Sequence, residues 1–225
     1  MNTLAFIARN FMVYIVLCAA SLLMLRLVIS YTSFQDDVAF LAYKQEYLHN
    51  RVWKIAFYVH VFSAVLSLLA AFTQFSKDLL TMKPALHRWG GRIYAWNILA
   101  INVPAGFILA IHANGGWSSR IAFMILDICW AWFTYKGVTA AIRGDITLHR
   151  AFMIRSYALT FSAITLRLWK NVLVGALHYD PLLAYMIQAW IGYVPNMLVA
   201  EYIIYRSRKK QWLTSPLQVN HNEVE

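Results

Sequence analysis

The chain alternates between long apolar runs and short polar breaks. The runs are roughly 20 residues each, the length a helix needs to cross a ~30 Å hydrocarbon layer. Backbone groups in lipid have to be satisfied within their own segment, so each crossing is read as an α-helix. Six spans follow, at about 10–31, 53–75, 90–112, 120–142, 151–176 and 181–205. The breaks between them read "TSFQDDVAFLAYKQEYLHN", "SKDLLTMKPALHR", "ANGGWSS", "RGDITLHR" and "LHYDP". The predicted fold class is all-α: a polytopic membrane helical bundle with six transmembrane helices over 1–207, and a polar cytoplasmic tail over 208–225. The first run, Phe11 to Ser30, is longer than the 7–15 apolar residues of a signal peptide and is read as a retained helix.

Composition agrees. Hydrophobic residues make up 60% of the 225, and charged residues 13%, against about 25% in soluble domains. The net charge of +10 is explained by topology rather than by nucleic acid. Arg9, Lys77, Lys83, Arg88, Arg92, Arg143, Arg150, Arg155, Arg206, Arg208, Lys209 and Lys210 fall on one side. Lys44, Arg51, Lys54 and Arg120 fall on the other. The rich side is expected to be cytoplasmic, which puts both termini inside and the protein in the inner (plasma) membrane. The basic rim is expected to attract anionic membrane lipids. Cys18 and Cys129 lie within spans, without metal or disulfide spacing.

The tripeptide Leu-His-Arg occurs twice, at 86–88 and 148–150. Two complete spans separate the copies, so both lie at the cytoplasmic face. His87 is followed by Arg92 and Tyr94, and His149 by Arg155 and Tyr157. The second copy is one residue longer, so the echo is either a duplicated hairpin or chance. Asp145 and Thr147 suit a helix start, and Gly90-Gly91 leaves room for a close backbone or a flat ligand. Arg88, Arg92, Arg150 and Arg155 add a field suited to carboxylate or phosphate, including haem propionates or a lipid head group. Two further histidines lie toward the other face: His60 in span 2, roughly 8–13 Å deep at 1.5 Å per residue, and His112 at the end of span 3. Imidazole is an axial ligand for haem iron, so His87 with His149, and His60 with His112, are candidate metal ligands for haem b. The readings without a metal are an interfacial histidine bonded to phosphate or backbone, and for His112 a loop residue.

The paired histidines resemble those of the ascorbate-dependent transmembrane di-haem cytochromes b. That resemblance implies two haems and electron transfer across the membrane. The order along the helices departs from it, with histidines in spans 2, 3, 3 and 5 and none in span 4. The segments "YVHVFSAVLSLL", "LHRWGGRIY" and "RGDITLHRAFMIRSYALTFSAITLR" resemble a bacterial family of predicted multi-pass membrane proteins of unknown function. Its pattern falls on His60, His87, Arg88, Gly91, Tyr94, Asp145, His149, Arg150, Met153, Arg155, Ser156 and Arg167. It implies the architecture and no activity.

Two charges fall inside spans at matching depth, Asp127 and Arg167. They are expected to pair, as a structural salt bridge or as part of a proton or quinone site with His60. Three functions stand open. The first is a b-type cytochrome acting as a membrane oxidoreductase, with a quinone or other redox partner. The second is a non-redox binding or transport protein for an anionic lipid or metabolite. The third is an assembly or scaffold subunit. Oligomeric state is not encoded in these patterns.

Overall fold

The computed structural model describes residues 3–75 and 77–214, with side chains in those ranges except at 3–11, 13–14, 71, 77–79 and 210–214. The described chain is all-helical. Helix α1 (Thr3–Ile29) precedes a far-end lobe of short turns, then α2 (Arg51–Leu69), α3 (Ala71–Gln74) and α4 (Lys77–Met82). Helix α5 (Pro84–Trp96) passes through a π-helical stretch, Asn97–Asn102, into α6 (Val103–Ile111). Then come α7 (Gly116–Ile142), α8 (Ile146–Lys170) with a second π stretch at Asn171–Ala176, α9 (Pro181–Ile191) and α10 (Val194–Thr214).

Capping side chains set several starts. Asn50 accepts from the Val52 and Trp53 N–H groups at 3.0 and 3.2 Å, and Asp180 from Leu182 and Leu183 at 2.9 and 3.0 Å. Asp145 accepts from the Leu148 N–H at 2.8 Å, as expected for the start of span 5. The hairpin between α7 and α8 turns at Gly144, whose φ of +77° a side chain would resist.

Among the described residues, five helices are long and apolar enough to cross a membrane: Ile15–Ser33, Arg51–Gln74, Pro84–Ile111, Gly116–Ile142 and Pro181–Lys209. The span expected at 151–176 lies within α8 and its π extension, which are too polar to join them. Arg150, Arg155, Arg167 and Lys170 account for this, together with Ser156, Thr160 and Ser162, all buried. Helix α8 can be polar because it is central, packed against α2, α7, α9 and α10. The principal core joins Tyr94, Ile98, Ala122, Trp130, Leu159, Ala189 and Tyr193.

The structure adds detail at three places. Span 6 is not one straight helix. It breaks between α9 and α10, where the Thr165 hydroxyl donates to the Gly192 carbonyl and Asn196 Nδ2 donates to Thr165 Oγ1 at 2.9 Å. The tail placed at 208–225 begins as helix, since α10 continues to Thr214; residues 215–225 lie outside the described residues. In span 3, the π stretch immediately precedes Pro104, which cannot donate a backbone hydrogen bond.

The 30–50 break folds into a lobe. Tyr31, Leu41, Trp53 and Phe57 form its core, and Phe40, Tyr47 and Leu48 pack on it. Lys44 is 2% exposed, donates to the His112 carbonyl, and stands 4.8 Å from the Tyr47 ring centroid. Burial pulls the Lys44 ammonium down to about 8 from the usual 10.5. Between those values the unfolded chain binds this proton and the folded chain does not. Stability therefore rises with pH through that window, and the cost is fully present below it. The unfolding midpoint of the native chain, relative to Lys44→Met, should rise from pH 8 to 10.5; a constant difference would contradict this.

Candidate functional site

At the basic end, α5 and α8 run parallel. The Tyr94 hydroxyl is 2.8 Å from both Ser156 Oγ and Thr160 Oγ1. Trp130 Nε1 donates to Thr160 Oγ1 at 3.1 Å, and Thr134 Oγ1 meets Ser156 Oγ at 2.7 Å. This buried hydroxyl knot sets the register of the two Leu-His-Arg copies. His87 is seven residues before Tyr94, and His149 seven before Ser156. Two turns back along parallel helices, the histidines lie within about one turn, ~5 Å, of each other in depth. Tyr157, the position that echoes Tyr94 in the second copy, donates to the Leu68 carbonyl at 3.1 Å.

Both imidazoles are anchored through Nδ1. His149 Nδ1 is 2.8 Å from the Gly137 carbonyl, and His87 Nδ1 is 3.5 Å from that of Thr73. An Nδ1–H donated to a carbonyl leaves the Nε2 lone pair as the ligating one. Two imidazoles within a turn of each other in depth, His87 turned to α3 and His149 to α7, are the residues that could hold a haem b, with Arg88 and Arg150 beside them in sequence for its propionates. The Gly90-Gly91 opening is not the place for it. A Cβ at Gly90 would lie 2.9 Å from Gln74 Nε2 and from Thr73 Oγ1, so α3 already fills that gap. Arg88, Arg92 and Arg150 are exposed. Arg155 does not join them: its Nε and Nη2 donate to Glu201 at 2.5 and 2.8 Å, fastening α8 to α10.

The other pair of histidines does not converge. His60 is half-buried, with Nδ1 3.3 Å from the Asn102 carbonyl. His112 lies ten residues past Asn102, about 15 Å of helix rise, and its ring folds back only to the Ile108 carbonyl at 2.8 Å, edge-on to Tyr47. Rings so separated in depth do not fit the two faces of one haem.

The intramembrane charges do not pair either. Arg167 donates to the Ala163 carbonyl at 2.5 Å. Asp127 faces α6, where its Oδ2 would be 2.8 Å from a Cβ at Gly106. Among the described residues the ion pairs are Lys54–Asp36 and Arg155–Glu201, and no group of three or more His, Cys, Asp or Glu is placed to hold a metal. Asn102 was not among the site residues the sequence singled out. The signal was its position one turn before Gly106, opposite His60.

No curated protein and no solved structure matches the chain. Residues 57–204 match the model of a family described as predicted membrane protein (DUF2306).

Proposed function

The chain belongs to the DUF2306 family of predicted membrane proteins, and from that premise we propose that it is a b-type cytochrome with one haem at its basic end, held by His87 and His149. The observation that carries this reading is the register fixed by Tyr94 and Ser156, which brings the two Leu-His-Arg copies to one depth. In this reading α8 is a sixth crossing of the plasma membrane, and the basic end and both termini are cytoplasmic.

Haem bound there would supply one-electron transfer. The protein's own part is positional. The Thr73 and Gly137 carbonyls orient the imidazoles, Arg88 and Arg150 offer charge to propionates, and the hydroxyl knot closes the site toward the bilayer centre. A single haem at one face serves a donor and acceptor reached from that side or through the lipid, a quinone being the expected chemistry. The exposed arginines also favour anionic lipid head groups around the same rim.

The test is the visible spectrum of protein purified in mild detergent from haem-replete cells, oxidised and then dithionite-reduced. The expected result is a Soret band that shifts on reduction. His87→Ala and His149→Ala should each abolish it, while His60→Ala and His112→Ala keep it. A colourless native protein without iron overturns the reading.

A further inference from the structure

Asp127 is 5% exposed and Asn102 is 0% exposed, both in helices that are candidate membrane spans. A carboxylate at such a position is normally matched by a cation or by donors. Arg155 and Arg167 of α8 are committed elsewhere: Arg167 to the Ala163 carbonyl, Arg155 to Glu201. Among the described residues no hydrogen bond or ion pair reaches the Asp127 carboxylate.

Asn102 has a complementary deficit. Its Nδ2 donates to the Asn97 carbonyl at 3.1 Å, so its orientation is set. That leaves Oδ1 buried without a partner. Gly106 lies one turn beyond Asn102 on the same helix, and the Asp127 carboxylate occupies the space where the Gly106 side chain would be. Cβ positions one turn apart are about 5–6 Å from each other. The two unsatisfied groups therefore border one small volume between α6 and α7.

Every unsatisfied atom there is an oxygen acceptor. Asp127 offers two, Asn102 one, and among the described residues no hydrogen bond reaches any of them. A ligand that itself needed acceptors would leave the deficit in place, whereas one hard cation would satisfy all three at once. We propose that Asp127 and Asn102 hold a small monovalent cation, Na⁺ or H⁺, inside the bilayer, in an oxygen cradle opened by Gly106. As Na⁺, the ion bridges the carboxylate and the amide oxygen. As H⁺, it sits on the Asp127 carboxyl, whose O–H then donates to an acceptor. The site does not rest on the haem reading, and a colourless protein leaves it standing.

The test is thermal unfolding of the full chain in detergent, with choline replacing Na⁺ at constant ionic strength, and again across pH. If the ion is sodium, the midpoint rises by several degrees with Na⁺ and saturates. If it is the proton, Na⁺ has no effect, lowering the pH raises the midpoint, and difference infrared spectra show a buried carboxylic C=O stretch. Asp127→Asn should remove whichever response is seen. Asn102→Leu should weaken it at least tenfold in ion concentration, and Gly106→Ala should do the same by filling the gap. If Asp127→Asn does not fold, those two variants and the native infrared band still decide. A native chain whose midpoint follows neither Na⁺ nor pH differently from the variants, with no ion-sensitive carboxyl band, overturns the proposal.

Discussion

Gly137→Leu should leave little folded protein. Gly137 lies in the α7–α8 seam, where a Cβ would be 2.6 Å from Met153 Sδ and 3.6 Å from Phe152 Cβ. A methyl can be met by movement of the flexible Met153 end, so Gly137→Ala should be mild. A leucine has no such outlet and would drive the two helices apart. Overpacking of this kind costs about 1–3 kcal/mol and more where the backbone has to move, against total stabilities of about 5–15 kcal/mol. The same displacement would pull the Gly137 carbonyl from His149. Monodisperse yield from size exclusion and the unfolding midpoint read the result. A leucine variant that melts with the native chain would mean the seam is looser than described.

Tyr94→Ala is the second large effect. The ring is 2% exposed and its hydroxyl meets α8 at two points. Truncating a buried aromatic costs about 3–5 kcal/mol, and here it also removes the strut that sets the register of α5 against α8. Tyr94→Phe separates the two roles. It keeps the ring and loses only the O–H, while Ser156 retains Thr134 and Thr160 retains Trp130. A cost near 1 kcal/mol is expected. If His87 and His149 share a ligand, the alanine variant should lose it and the phenylalanine variant should keep it. Equal melting of the two variants would show that volume, not register, is what Tyr94 contributes.

The long helices were legible because apolar block length has one strong physical reading. Hydropathy was less informative where a helix is central. Helix α8 spends its polarity on neighbours, so its sequence looks less membrane-like than its position. The far-end lobe looked like a polar loop because its aromatics are spaced for short turns, without the period of a helix or strand. The histidine echo was legible as a motif, but the contacts of its members were not: Tyr94 meets Ser156 and Thr160, while Tyr157 turns to the Leu68 carbonyl. The Asp127–Arg167 pair failed for a different reason. Residue counting gives depth in a bilayer and says nothing about rotation. Arg167 turns to the Ala163 carbonyl of its own helix, and Asp127 faces Gly106 on α6.

The polarity of α8 bears on how the chain is made. A segment carrying Arg150, Arg155, Arg167 and Lys170 partitions poorly into lipid by itself. Its hydroxyls find partners on α5 and α7, both synthesised earlier, and the tight turn at Gly144 delivers α7 and α8 together. Glu201 is made later still, so the nascent chain passes through a stage in which Arg155 has no carboxylate to meet. Products ending before α10 would keep that bare guanidinium near the membrane. They would present membrane quality-control proteases with a feature that the finished protein conceals.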